Sequence, residues 1–568
     1  MNFKRFFPVI LSTTAFALGA CKMFQSIDPT ADLNVDVENH ADIVLKTYFP
    51  NFGAPNKKVK EGWLGKAIEA YTTYNVEYNQ FSDAADTEAN GLLNNKEPID
   101  MMKVTGTIFN NYVTSGYFTD LTDVIEKYGT RVVKSDGTMF KDLYTKEQWE
   151  ACSYNGKIYG IPEIGHTPMI NQALIWNTDH LKAIGYVNDD GSARLPETLS
   201  DFTNALALLK TQYSSNSSYY PFGINGNISI ANPIACSFEV PDQWYVDGNN
   251  KLQNMLMSEQ MHKYLAYMNK LRNANYIAGD WVSQSEQSCI LNFVKQNCSV
   301  YVGSYWNVTS VRNSMIQSYT SFPEDMIKTS EKTQYVYGTT KRVTYKNDAL
   351  VGWNTYLKGD GSDNSPVQTK GKVRSGGAGV GYFITVPVAC AKRAAYVIDW
   401  VSRRNTEECT VLMIAGKEGK HYNYCDASDP DGVRLNKKED VYVKTYDAFL
   451  NDISGMSQFQ TSVNMDTARE WWPVAENGFN AWNVLVVDDS GAIEYDRLIQ
   501  NAFGLHPVLP NFASVDLEAQ NYVVTQAQYC INIAPDKYES TYENAKATYN
   551  SRFYSKCADE INNWYNSK

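Results

Sequence analysis

The sequence of 568 residues contains little histidine and none of the short motifs that mark common hydrolases. Its six histidines include no H-E-x-x-H pair, and no G-x-S-x-G sequence accompanies them. These absences argue against a zinc hydrolase and against a serine hydrolase. The ten cysteines form no C-x-x-C pair, which is the usual spacing of a structural zinc site. We therefore predict no metal site and no cofactor.

Clustered positive charge and long apolar runs are also missing. The net charge is −12 and no basic cluster occurs, whereas binding to nucleic acid or anionic lipid requires clustered Lys and Arg. After residue 20, no uninterrupted apolar run approaches the roughly twenty residues of a membrane helix, so we expect a soluble body. Its length exceeds what one hydrophobic core usually organises, which predicts two lobes or more.

The N-terminal segment has the order of an export signal. It reads MNFKRFFPVILSTTAFALGAC, with Lys4 and Arg5 at the charged start, an apolar run over 6–18, and small residues before Cys21. This order is typical of a bacterial lipoprotein signal, in which the cysteine becomes the first mature residue and carries the lipid. An ordinary signal peptide is the alternative. We expect a signal over 1–20, a flexible acidic tether over 21–40, and a lipid anchor on the extracytoplasmic face of the cell membrane.

The nine cysteines after Cys21 leave two interpretations open. Export permits disulfides, and the nearest pairs in the sequence are 289/298, 409/425 and 530/557. Nine is an odd number, however, and buried free thiols are the alternative.

The first part of the body alternates between two kinds of pattern. Strands are predicted over 42–49, 75–81 and 99–104, and helices over 59–70 and 84–95. Strands that alternate with helices predict a parallel sheet with right-handed crossovers. Such sheets bind ligands at the carboxyl ends of their strands, which here are the loops 50–51, 82–83 and 105–107.

Several segments in order resemble one family of receptors. They are NGKIYGIP, IWNTDHLKAIG, PETLSDFTNALALLKTQY, FEVPDQWYVDGNNKL, KYLAYMNKLRNANYIAGDW, CSVYVGSYWNV and GYFITVPVACAKRAAYVIDWVS. The set resembles the extracellular solute-binding proteins of ABC transporters (family 1, maltose-binding-like), particularly large lipoproteins of Gram-positive bacteria. Residues 319–372 and 426–440 match no part of this pattern.

The resemblance implies an α/β fold of the type II, periplasmic-binding-protein-like kind, with two lobes and C-terminal helices. Lobe 1 would contain 41–170 and about 379–455, and lobe 2 would contain 171–378 and about 456–568. The chain would cross between the lobes near 168–175, 379–387 and 450–465. A repeated apolar face in the last thirty residues independently predicts a helical end, with that face packed in the core.

The function implied by the resemblance is capture of an oligosaccharide or related polar solute by hinge closure, for delivery to ABC permease subunits. The protein would act as a monomer and would not be an enzyme. A surface glycosidase is the alternative, since Glu239, Asp242, Asp466 and Glu470 could supply its paired carboxylates. An adhesin without a transport partner is a third possibility.

Tryptophan is the first class of candidate ligand-binding residue, because flat aromatic faces pack against the C–H faces of sugar rings. One such face contributes roughly 1 kcal/mol if it buries about 50 Å². The candidates are Trp306, which follows a predicted strand, the pair Trp471 and Trp472, and Trp244. Core packing is the alternative for each of them.

Polar candidates lie where predicted strands end. Glu163 and His166 precede the first crossing, while Asp83 and Thr105 follow the second and third strands. The alternatives are a solvated loop for His166 and a helix N-cap for Asp83. The acidic loop DASDPDGVRLNKKED does not have EF-hand spacing, because Ala427 and Lys438 stand at the first and last ligand positions. A structural calcium ion in this loop stays open as an alternative.

Overall fold

The computed structural model describes the larger part of the chain. The described residues are 29–51, 56–82, 85–163, 170, 172–226, 233–316, 350–374, 382–425, 433–434, 441–444, 446–453, 467, 471, 486 and 494–568. They form two α/β lobes, as predicted, and each lobe is built around its own sheet of parallel and antiparallel strands.

The first stretch of lobe 1 contains six strands and six helices. In chain order they are β1 (Val44–Phe49), α1 (Asn56–Glu61), α2 (Trp63–Thr72), β2 (Asn75–Gln80), α3 (Ala85–Asn94), β3 (Met101–Thr105), α4 (Gly106–Val113), α5 (Thr122–Tyr128), α6 (Lys146–Glu150), β4 (Ser153–Tyr154), β5 (Lys157–Ile158) and β6 (Ile161–Glu163). Two helices stand where one was predicted, because Gly62 between α1 and α2 is extended, with φ −68° and ψ 160°.

Lobe 2 begins with the next thirteen elements. They are β7 (Gln172–Asn177), α7 (Thr178–Ala183), α8 (Leu199–Gln212), β8 (Phe222–Gly223), α9 (Pro233–Ser237), β9 (Trp244–Val246), β10 (Leu252–Asn254), α10 (Glu259–Asn273), α11 (Glu286–Val294), β11 (Val300–Ser304), α12 (Val308–Ile316), β12 (Val351–Asn354) and β13 (Val373–Arg374). Its sheet has the strand order β12-β7-β11-β8.

The chain then returns to lobe 1 and ends in lobe 2. The second stretch of lobe 1 contains β14 (Tyr382–Thr385), α13 (Ala394–Arg404), α14 (Glu407–Ile414), β15 (Tyr422–Cys425), β16 (Val433–Arg434), β17 (Val441–Lys444) and α15 (Tyr446–Asp452). The last elements are β18 (Leu498–Ile499), α16 (Pro510–Asn532), α17 (Tyr538–Tyr549) and α18 (Ser555–Asn566). The C-terminal face predicted to be core is buried at Tyr542, Tyr549, Phe553 and Ile561, so that prediction is confirmed.

The sheet of lobe 1 places several chain ends at one edge. Its strand order is β2-β1-β3-β14-β6, with β1 parallel to β2 and β3, and β14 antiparallel to β3 and β6. The parallel pairing predicted for the first three strands is confirmed. The carboxyl ends of β1, β2, β3 and β6 and the start of β14 therefore share one edge of the sheet.

The connections between the lobes leave from that same edge. The chain passes from β6 of lobe 1 to β7 of lobe 2, and it returns from β13 to β14. Ile170, Val373 and Val486 form a small apolar cluster of their own, with Tyr356 and Leu498 packed against it. This cluster joins residues from both crossings to the C-terminal stretch.

Two predicted boundaries are wrong. Trp471 packs in the core of lobe 1, so a residue that the prediction assigned to lobe 2 belongs to lobe 1. The predicted tether over 21–40 is too long, because Leu33, Val35 and Val37 pack against the same core and the Leu33 carbonyl accepts a 2.7 Å hydrogen bond from Tyr128 Oη. These apolar residues alternate with exposed polar ones, so one side of the segment is partly buried.

The nine cysteines after Cys21 are all free thiols, and all except the partly exposed Cys425 are buried. The three disulfide pairings considered from the sequence are therefore wrong. Residues 1–28, which include the predicted signal and Cys21, lie outside the described residues. Among the residues that the structure describes, no helix combines the length and apolar composition needed to cross a bilayer.

Candidate functional site

A pocket of about 210 Å³ lies at the edge of the lobe 1 sheet from which the chain crosses to lobe 2. Its lining residues follow or end β1, β2 and β3, or belong to the helices and the strand beside them. They are Pro50, Asn51, Phe81, Ser82, Asp86, Ala89, Lys103, Val104, Thr105, Ile108 and Tyr382. Described residues of all three loops predicted to bind ligand thus line one cavity.

Lys103 is buried in the wall of this pocket. Lys103 lies on the same sheet face as Met101, a residue of the apolar core, and its own exposed fraction is also 0%. Its Nζ lies 2.6 Å from Glu163 Oε2 and 4.7 Å from the ring centroid of Tyr382. Tyr382 pairs with Glu163 across β14 and β6, so the sheet register brings the three side chains together.

Burial and charge act on Lys103 in opposite directions. Removal from water lowers the pKa of the ammonium group to about 8, although the Glu163 carboxylate favours the charged form. The buried guanidinium of Arg404 also lowers this pKa, because two positive charges repel. Lys103 therefore remains mainly a cation at neutral pH, with Glu163 as its counterion.

Thr105 has two roles at the mouth of the pocket. Its hydroxyl accepts a hydrogen bond from Ile108 N, which caps the start of α4, and donates one of 3.1 Å to Asp86 Oδ1. Asp86 lies in the first turn of α3 and is exposed. The predicted loop residue thus lines the cavity and also orients a carboxylate that lines it.

The matching edge of lobe 2 lies at the end of β11. Ser304 pairs with Gln172, the first residue of β7 after the crossing. Glu286 accepts hydrogen bonds from Ser304 N at 2.6 Å and Asn307 Nδ2 at 2.9 Å, which anchors the turn between them. Trp306 lies in this 3₁₀ turn at residues 305–307, and its side chain lies outside the described residues.

For two of the aromatic candidates the structure favours the core-packing alternative, because both side chains are buried. Trp244 is 4% exposed and packs in lobe 2, with its ring centroid 5.3 Å from Phe503 and 5.7 Å from Phe512. Trp471 is 8% exposed and packs 5.2 Å from the ring of Tyr422 in lobe 1. Neither ring offers a free face to a ligand.

The other predicted residues divide into two groups. Trp472, His166 and Asp83, with Asp466 and Glu470 of the glycosidase alternative, lie outside the described residues. Glu239 and Asp242 belong to lobe 2 and do not line the lobe 1 pocket. Glu239 accepts a hydrogen bond from Gln368 Nε2, while burial raises the pKa of Asp242.

Sequence reasoning missed Lys103, Tyr382 and Asp86. Lys103 carried a signal, since a lysine within the apolar strand MMKVT must be buried with a counterion or reach a cavity. Tyr382 follows a glycine-rich run, and nothing in the surrounding sequence indicated that it would line a pocket. The described part of the chain contains no group of three His, Cys, Asp or Glu side chains placed to hold a metal ion.

Neither the protein-family models nor the curated protein sequences match this chain. Solved structures do match it over nearly its whole length. FusA, an ABC-transporter substrate-binding protein of S. pneumoniae in complex with kestose, is 14% identical with a TM-score of 0.63, and the match covers 92% of this chain and 99% of that one. An alginate-binding protein without calcium ion is 10% identical with a TM-score of 0.58, covering 93% and 99%.

A third match is an HMO-binding, ABC-transporter-associated solute-binding protein from Bifidobacterium longum infantis. It is 12% identical with a TM-score of 0.55, and the match covers 92% of this chain and 98% of that one. At such low identity these matches establish the fold. The chain has the two-lobed, type II α/β fold of solute-binding proteins, as the sequence predicted.

Proposed function

We propose that this protein is a solute-binding receptor of an ABC importer and that it captures an oligosaccharide between its two lobes. The observation that carries the proposal is the position of the pocket. It lies on lobe 1 at the carboxyl ends of parallel strands, on the edge where β6 ends before the chain continues to lobe 2 and where β14 begins after the chain returns. The matched structures include proteins described as binding kestose and HMO.

The size of the pocket supports a closure mechanism. Its volume of about 210 Å³ is below the roughly 300–1,000 Å³ of complete small-ligand pockets. One lobe therefore supplies only part of the binding surface, and lobe 2 supplies the rest from the turn that contains Trp306. A ligand that touches both lobes stabilises the closed form through its higher affinity for that form.

The cellular placement in this proposal rests on the sequence. The order of charged, apolar and small residues before Cys21 favours export and lipid attachment on the extracytoplasmic face of the membrane. Permease subunits would be the transport partners. Metabolic labelling with a radioactive fatty acid tests the anchor, since Cys21→Ser should abolish incorporation of the label.

Calorimetric titration of the purified protein against an oligosaccharide array tests the binding function. We expect a neutral glycan to bind without any change in its chemical structure, and small-angle scattering to show a smaller radius of gyration in the complex. Tyr382→Ala should weaken binding about fivefold, because one sugar-stacking face contributes ~1 kcal/mol. The matched control is Tyr424→Ala, a half-exposed tyrosine of lobe 1 outside the pocket.

Two outcomes would contradict this function. Release of a shortened glycan would favour the glycosidase alternative, and an array without any binder would exclude an oligosaccharide receptor. Equal losses of affinity in the two tyrosine variants would show that the lobe 1 pocket is not the binding site.

A further inference from the structure

Two carboxylates and one ammonium group lie in or directly beside the described lining of the lobe 1 pocket. Lys103 and Asp86 line the cavity, and Glu163 lies beside it with Oε2 2.6 Å from Lys103 Nζ. Among the described residues that line the cavity, Lys103 is the only one with a positive charge. With Glu163 included, the described residues in and beside the cavity therefore carry two carboxylates against one ammonium group.

The charge of Lys103 is already neutralised within the protein. Its side chain is 0% exposed and that of Glu163 is 18% exposed, so the two charges interact in a medium of low dielectric constant. An anionic group on a ligand would have to compete with Glu163 for the same ammonium group. It would also face the carboxylate of Asp86, and like charges in contact are strongly unfavourable.

Arg404 does not supply the missing cation. Its guanidinium lies in the core of lobe 1, 4.7 Å from the ring of Trp400 and 5.8 Å from the ring of Phe49. It is 1% exposed and does not line the cavity. A ligand in the pocket therefore cannot pair with it.

The same wall suits a neutral polyol. Carboxylates that protein groups hold in place accept charge-assisted hydrogen bonds from hydroxyl groups. Asp86 is held by the Thr105 hydroxyl and Glu163 by Lys103. Asn51 and Ser82 line the cavity as well and add neutral donors and acceptors.

We propose that the lobe 1 pocket selects neutral sugars and rejects uronic and other acidic sugars, and that Glu163 and Asp86 determine this specificity. The proposal rests on the proposed function, because it names the class of glycan that the receptor takes. It also distinguishes this chain from the alginate-binding protein whose fold it shares, since alginate is a polymer of uronic acids.

The test compares neutral and acidic probes in one assay. The probes are kestose, maltotriose and mannotriose on one side, and trimannuronate and trigalacturonate on the other, together with any further binder from the array. Calorimetry is done at about pH 6, where sugar carboxylates are ionised and Lys103 is protonated. We expect the wild type to bind a neutral glycan at least 100-fold more tightly than any acidic one.

Two variants alter the charge and keep the side-chain shape. Glu163→Gln and Asp86→Asn should each reduce the ratio of neutral to acidic affinity at least tenfold. The low pH matters for Glu163→Gln, because without its counterion Lys103 loses its proton more easily. Asp86 is exposed, so Asp86→Asn tests the proposal even if Glu163→Gln impairs folding.

The control is Glu126→Gln, which removes a carboxylate paired with Lys141 on the surface of the same lobe, outside the pocket. It should leave the affinity ratio unchanged. Binding of an acidic probe by the wild type at least as tightly as every neutral one would overturn the specificity proposal. An unchanged ratio of neutral to acidic affinity in both Glu163→Gln and Asp86→Asn would overturn it as well. Either result would leave the receptor function standing. Failure of every glycan to bind would overturn the receptor function and this proposal together.

Discussion

Replacing Lys103 by methionine tests whether lobe 1 holds a buried cation. Methionine has similar length and fits an apolar strand, so the change removes the charge with little loss of packing. The folded pKa of about 8 lies below the ordinary value of 10.5. Between these two pH values the unfolded chain binds the proton more strongly, so the free energy of unfolding of the wild type rises as the pH rises.

The size of this rise follows from the two pKa values. The gap between about 8 and 10.5 corresponds to about 3 kcal/mol at 1.36 kcal/mol for each pH unit. In the variant this contribution is absent. The unfolding free energy of the wild type minus that of Lys103→Met should therefore increase by about 3 kcal/mol from pH 8 to pH 10.5.

Urea denaturation of both proteins at intervals of pH measures this difference, and the titration of all other groups cancels in it. Lys146→Met is the control, because it removes an ammonium group that is 85% exposed and should produce no comparable rise. A constant difference for Lys103→Met, or one that falls with pH, would refute the assignment of a buried charged lysine.

Three further predictions concern the body of the protein. Trp244→Ala should destabilise lobe 2 by about 3–5 kcal/mol in urea denaturation and leave glycan affinity unchanged at temperatures where the variant is folded. A loss of glycan affinity with normal stability would instead indicate that Trp244 contacts the ligand. Glu560→Ala should lower the free energy of unfolding by about 1 kcal/mol, because Glu560 accepts hydrogen bonds from Asn511 N and Phe512 N at the start of α16. An unchanged urea midpoint would contradict this capping role. A thiol reagent should modify Cys425 and leave the eight buried thiols unmodified in the native protein, with mass spectrometry locating the label; rapid modification of a buried cysteine would be evidence against the packing around it.

The elements that could be predicted are those whose burial follows the local pattern. The first three strands and the helices between them alternate along the chain. β1 and β2 bury mainly one face and α2 one stripe, while β3 is a short apolar run buried on both faces, so each leaves a signal in the sequence. The carboxyl ends of such strands meet at one edge, which is why Thr105 could be placed at a pocket from the sequence. The break at Gly62 was missed, because an extended glycine within an otherwise helical pattern leaves no periodic signal.

The aromatic candidates show the limit of this reasoning. A tryptophan between polar residues can stack on a sugar or on another aromatic ring, and both uses call for the same side chain. Trp244 packs on Phe503, more than 250 residues further along the chain, while Trp471 packs on Tyr422. No local pattern around either residue contains information about such a distant partner.

The order and period of apolar residues by themselves predicted the parallel pairing of the first three strands and the edge where their carboxyl ends meet. The two-lobed α/β class was predicted from the resemblance of several segments to solute-binding proteins, together with the length of the chain. Only the tertiary structure decided which charges meet in the pocket. Lys103, Glu163 and Tyr382 come from three strands that are remote in the chain, and the register across β3, β14 and β6 brings them within contact distance. Electrostatic specificity depends on such distances, and chain order does not contain them.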